Sequence, residues 1–189
     1  MLARWMAILG VAVLAGCSSN GGQATPEGSL ERARAAARDG DLDAAEAELL
    51  LILKRDPRDA SAHADYASLL ARSGRGDQAI VGYERSLALD PTNPDALYNL
   101  GTLYLRRGDS LGAARKLERA LELRPEHVPT YNNLARAYYQ LGLPELAGAA
   151  YEEALALDPD NGTARANLEL LSRFDPARTP ASAAETDDS

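Results

Sequence analysis

Arg38, Arg72 and Arg106 stand 34 residues apart, each two residues before a glycine, and Gln140 continues the series. Arg34 and Arg136 lie one helical turn earlier in the first and fourth of these intervals. If the chain repeats its fold at the same interval, these side chains share a surface, and forked guanidinium groups there would hold carboxylates through paired hydrogen bonds. An equally simple role is to sit near helix C-termini, where a cation complements the helix dipole. Asn99, Asn133 and Asn167 form a second series at the same interval. Catalytic chemistry has no such pattern. His63 and His127 fall at different places in the interval, so they form no close helical pair of metal ligands. His63 reads as a semi-buried packing residue and His127 as part of a solvated turn. The carboxylate pairs Glu46 with Glu48, and Glu152 with Glu153, sit among apolar residues at helical spacing, which predicts solvated outer faces rather than a desolvated acid or base. Gly21-Gly22 has no strand before it and no phosphate-binding pattern after it. No enzyme activity, cofactor, metal or small-molecule substrate is expected; the chemistry on offer is recognition.

The elements that carry these side chains announce themselves by periodicity. Pro57, Pro91, Pro125 and Pro159 are separated by 34 residues each time, and three of the four follow an aspartate. Small residues keep the same register: Gly40, Gly74, Gly108 and Gly142; Ala45, Ala79, Ala113 and Ala147; Ala33, Ala67, Gly101 and Ala135. Leu49, Tyr83, Leu117 and Tyr151 follow the alanine column by four residues, and Ile52, Ser86, Ala120 and Ala154 come three later. Spacings of three and four define one helical face. Each unit is therefore two helices joined at the glycine column, where a left-handed turn carries no Cβ penalty, and stopped at the proline column. Asn93-Pro94 reads as a cap followed by proline at the first helical position, and Asp41 and Asp109 stand where caps belong. The composition agrees: 46% of residues are hydrophobic, mostly alanine and leucine, and only 5% aromatic, which favours helix over strand.

This combination resembles the tetratricopeptide repeat family. The third and fourth units are closest, with Leu100-Gly101, Tyr104, Gly108, Ala113, Leu117, Ala120 and Pro125 in place. The first unit lacks the family's large aromatics, and His63 stands where the second would carry tryptophan or a large apolar residue. The resemblance implies an all-α fold, a right-handed α-solenoid of four helix-turn-helix repeats over about 26–59, 60–93, 94–127 and 128–161. A helix over 162–173 repeats the first half of a unit but places Glu169 where earlier units have alanine or glycine, so it should cap the solenoid, which spans 29–174. In the family the first helices line a concave groove. The resemblance thus turns Arg34, Arg38, Arg72, Arg106, Arg136 and Gln140 toward it, beside Thr102, with Tyr98, Asn132 and Tyr139 widening the surface and Asn99, Asn133 and Asn167 holding the backbone of a bound peptide.

Ahead of the repeats, Arg4 precedes an apolar run from Trp5 to Ala15 that is too short to span a bilayer as a permanent helix, so 1–16 reads as a signal peptide. Leu14-Ala15-Gly16-Cys17 looks like the lipobox of bacterial lipoproteins, and that resemblance makes Cys17 the lipid-modified residue. Cys17 is also the only cysteine, which excludes a disulfide within the chain. Residues 17–28 are then a lipidated, flexible leash, polar and glycine-rich. Ser18 and Ser19 in place of an aspartate point, by the same resemblance, to the periplasmic face of the outer membrane. Residues 175–189 lack periodic apolar positions and should be a disordered acidic tail. With 28 Asp and Glu against 20 Lys and Arg, nucleic acid is an unsuitable partner. The expected function is a membrane-tethered scaffold of the cell envelope that binds an envelope protein or peptide, with an acidic segment or a terminal carboxylate as its suited ligand. Resemblance to tetratricopeptide lipoproteins suggests type IV or tight-adherence pilus and secretin assembly; an adaptor for cell-wall hydrolases and a self-associating structural lipoprotein are the alternatives.

Overall fold

The computed structural model describes residues 26–174. The expected signal, Cys17, most of the leash and the acidic tail lie outside the described residues. Within them the chain forms α1 (Pro26–Asp39), α2 (Leu42–Arg55), α3 (Ala60–Arg72), α4 (Gly76–Leu89), α5 (Pro94–Arg107), α6 (Ser110–Leu123), α7 (Val128–Gln140), α8 (Pro144–Leu157) and α9 (Gly162–Phe174), with no strand among them. Helices pair as α1/α2, α3/α4, α5/α6 and α7/α8. Each second helix packs on the first helix of the next pair, and α9 covers α8. The fold is a right-handed α-solenoid of four helical hairpins closed by a capping helix.

Local chemistry sets these boundaries. Gly40, Gly74, Gly108 and Gly142 all turn left-handed, with φ between 73° and 86°, a conformation that only glycine adopts freely. Asp41, Asp59, Asn93 and Asp109 cap the following helices by accepting from the backbone N–H three residues on.

Packing follows the small-residue columns. Ala45, Ala79, Ala113 and Ala147 are fully buried, and Leu49, Tyr83, Leu117 and Tyr151 fill the space around them. One close approach is at Gly101, where an added Cβ would meet Leu117 Cγ at 2.7 Å and the Ala113 carbonyl oxygen at 3.3 Å. Here α5 crosses α6 with no room for a methyl group.

The hairpins are also tied by hydrogen bonds invisible in the hydrophobic pattern. Tyr104 on α5 donates to Glu84 on α4 at 2.6 Å, and Tyr138 on α7 donates to Glu118 on α6 at 2.8 Å. Both phenols are pushed up to about 12, by burial first and by the carboxylate second. Between the first two hairpins, Leu70 and Leu50 occupy the equivalent positions and cannot make this bond. The tie moves back one turn on both helices: Tyr66 donates to Glu46 at 3.1 Å. Glu46 also accepts from Arg75 at 2.6 Å, and that bond holds its carboxyl below the usual range. This corrects the reading of Glu46 and Glu48 as a solvated pair: Glu46 joins α2 to α3 and to the turn before α4, and Glu48 faces Arg32 at 3.4 Å. His127 also departs from a solvated turn. It is half-buried, edge-on to Tyr98 with ring centroids 5.0 Å apart, and bonded to Thr130 at 2.6 Å.

Candidate peptide-binding groove

The first helices α1, α3, α5 and α7, with α9, present one face of the solenoid. Residues at a common offset in each helix lie side by side along it, because each hairpin is displaced from the last by the same step. The predicted groove residues divide into three groups on this face.

The first group is consumed by internal pairing. Arg34 donates from Nε to Asp65 at 2.7 Å and from a terminal nitrogen to Glu31 at 3.0 Å, and so serves two carboxylates at once. Burial pushes the Asp65 carboxyl up in spite of Arg34. Arg72 donates to the Ala37 carbonyl at 2.9 Å, at the end of α1, where it complements a helix C-terminus. Gln140 accepts from Ser110 at 2.7 Å.

The second group knits neighbouring first helices together. Asn133 on α7 donates to Thr102 on α5 at 3.0 Å, and Thr102 donates back to the Tyr98 carbonyl at 2.9 Å. Asn99 and Asn167 behave differently, because the phenols of Tyr83 and Tyr151 lie close to their amides. Leu117 fills the equivalent place beneath Asn133 and has no hydroxyl, so that asparagine reaches sideways instead. Asn132 donates to Asn161 at 3.2 Å, while its Oδ1 is buried without a partner.

The third group is open. Arg38, Arg106 and Arg136 are exposed and make no ion pair among the described residues, and Tyr139 is 57% exposed. Arg106 does not join the hollow of Asn99. It lines a separate one of about 370 Å³ at the turn edge, with Arg107, Asp77, Ile80 and Leu103.

Sequence reasoning missed Asp65, Asp95 and Tyr83, which line a hollow of about 280 Å³ with Arg34 and Asn99. Asp65 was legible, since it precedes Asn99 by one 34-residue interval. Asp95 bonds Arg124 at 2.8 Å, and that bond holds its carboxyl below the usual range. Among the described residues, no group of three or more His, Cys, Asp and Glu could hold a metal ion, and no helix is long and apolar enough to cross a membrane. The arrangement is a row of shallow, open hollows of mixed polar and apolar lining.

No curated protein sequence matches the chain. Among solved structures, MamA superposes with a TM-score of 0.73 at 24% identity, covering 77% of this chain and 85% of MamA. YrrB, a TPR protein with an unusual peptide-binding site, gives 0.75 at 19% identity over 81% and 79% of the two chains. The first TPR of Spaghetti (RPAP3), bound to the HSP90 peptide SRMEEVD, gives 0.59 at 26% identity over 62% of this chain and 94% of that one. Family models described as tetratricopeptide or TPR repeats match residues 26–50, 67–108 and 98–162. With those matches falling on the hairpins from α1 to α8, and the fold built as above, this chain is a tetratricopeptide repeat protein.

Proposed function

We propose that the protein is a non-enzymatic interaction scaffold, tethered to a membrane of the bacterial cell envelope through a lipid on Cys17, that holds a protein or peptide segment on its first-helix face. The observation that carries the binding role is the row of hollows on that face and at its turn edge, lined in part by exposed Arg38 and Arg106, which make no ion pair among the described residues. The RPAP3 relative, solved with a peptide bound, supports the same use of the fold. The tether and the envelope location rest on the lipobox-like run ending at Cys17. The process we favour is pilus or secretin assembly, on the resemblance to tetratricopeptide lipoproteins.

A photo-crosslinking amino acid at position 106 in living cells, followed by mass spectrometry, tests the binding role. A defined partner trapped from position 106 and not from position 119 on α6 is expected. Equal, diffuse crosslinking from both positions would remove the groove reading. A secretin or pilus component as the trapped protein supports the favoured process, whereas a cell-wall hydrolase or a second copy of this chain replaces it with that alternative. Cys17→Ser should move the protein out of the membrane fraction; retention there would sink the lipid tether.

A further inference from the structure

The hollow at the C-terminal end of the face, of about 120 Å³, is lined by Tyr139, Tyr151, Asn167, Leu170 and Leu171. Stepping back three 34-residue intervals from each of these residues gives Ala37, Leu49, Asp65, Ser68 and Leu69, and all five line the hollow between α1, α2 and α3. The same notch therefore recurs at both ends of the solenoid with opposite chemistry. At the N-terminal end it is wider, about 280 Å³, and charged: Asp65 and Ser68 line it beside Leu49 and Leu69, with Arg34, Arg38 and Arg72 completing the lining. At the C-terminal end the alanine has become Tyr139, the serine Leu170 and the aspartate an uncharged asparagine.

Two observations identify the ligand chemistry. The first is charge. On the first helices Glu31 and Asp65 are bonded to Arg34, and Asp95 to Arg124; among the described residues Arg38, Arg106, Arg107 and Arg136 make no ion pair, against the exposed carboxylate of Asp39, so the unpaired charge there is in positive excess. The second is exposed apolar surface. Tyr139 is 57% and Leu170 49% exposed at the C-terminal notch, and six of the ten large hydrophobics exposed among the described residues lie beyond residue 138. Apolar walls left in water at a concave site gain by taking up an apolar group, and an apolar cavity of roughly 150 Å³ is known to hold a ring the size of benzene.

On the reading that the first-helix face is the binding surface, we infer that its ligand is a protein segment with two parts. An acidic stretch lies along the unpaired arginines, and one aliphatic or aromatic side chain is seated between Tyr139 and Leu170. The carboxylates set register and exclude basic segments, while the anchor selects the end of the groove.

Selection from a random peptide library displayed on phage, against the full-length chain in mild detergent, tests this. Peptides enriched by the wild-type chain should combine acidic residues with a leucine-like or aromatic residue. In fluorescence anisotropy with the strongest of them, Arg38→Glu/Arg106→Glu and Leu170→Ser should each weaken binding by roughly tenfold or more. Both variants change exposed side chains, and circular dichroism checks that their helix content is retained. A Glu→Gln version of the peptide should lose its sensitivity to the arginine variants and keep its sensitivity to Leu170→Ser. Enriched peptides that are basic, or that bind these variants as well as the parent, would overturn the two-part ligand and leave the scaffold reading standing. Failure to enrich any peptide would count against the scaffold reading, and the two-part ligand would fall with it.

Discussion

Replacing Gly101 with alanine adds one methyl group where α5 crosses α6. Its Cβ would lie 2.7 Å from Leu117 Cγ and 2.9 Å from Cδ2. Leu117 is fully buried, as is Ala113 on the preceding turn of the same helix, so the leucine cannot swing into open space. Two effects compete. Alanine in a helix interior is worth about 1 kcal/mol over glycine, and overpacking a tight core costs about 1–3 kcal/mol. The clash should win, with a net loss of about 1 kcal/mol for Gly101→Ala and about 3 kcal/mol for Gly101→Leu. For a chain of this size the alanine variant should lower Tm by about 2–4 °C. Gly76→Ala is the control, because nothing lies within 4 Å of its added Cβ. It should leave stability unchanged or raise it by up to about 1 kcal/mol. Urea unfolding of Gly101→Ala, Leu117→Ala and the double variant then tests the contact itself. Leu117→Ala alone should lose about 2–5 kcal/mol, and the double variant should lose less than the two singles together by about 0.5–3 kcal/mol, since the new methyl enters the vacated space. A Gly101→Ala variant as stable as the parent, with additive double-variant energies, would refute the assigned crossing.

Three further outcomes follow from the ties and turns. A double-mutant cycle over Tyr104→Phe and Glu84→Gln should give a coupling of about 1–2 kcal/mol, as for a partly buried hydrogen bond to a carboxylate; additive losses would mean the bond is not formed in solution. Tyr83, Tyr104 and Tyr138 each have a phenol raised to about 12. A raised folded value stabilises the fold fully below the ordinary tyrosine value of about 10 and is lost as pH rises toward 12, so unfolding should become easier across that window, with phenolate absorbance rising in step. Phenolate signal at ordinary tyrosine pH that is lost in the Tyr83→Phe, Tyr104→Phe or Tyr138→Phe variant of the folded protein would contradict it. Gly108→Ala should destabilise by about 1–2 kcal/mol even though its Cβ meets nothing, because φ is 85° there; an unchanged melt would refute a left-handed turn.

The 34-residue register was enough to determine the hairpins, because small residues, turn glycines and prolines each act locally or between adjacent helices. Gly108 must turn left-handed and Gly101 must sit at a crossing wherever such a unit folds, and both could be read from spacing alone. Side-chain pairing between hairpins could not be read that way. Arg34, Arg38 and Arg72 look alike in sequence, yet Arg34 is held by Asp65 and Glu31, Arg72 closes the end of α1, and Arg38 makes no ion pair among the described residues. The three asparagines likewise share a column but not a role, since a tyrosine hydroxyl lies beneath Asn99 and Asn167 and a leucine beneath Asn133. Periodicity fixes which surface a residue shares; what it bonds there depends on neighbours one or two helices away in space, and only the folded chain brings those together.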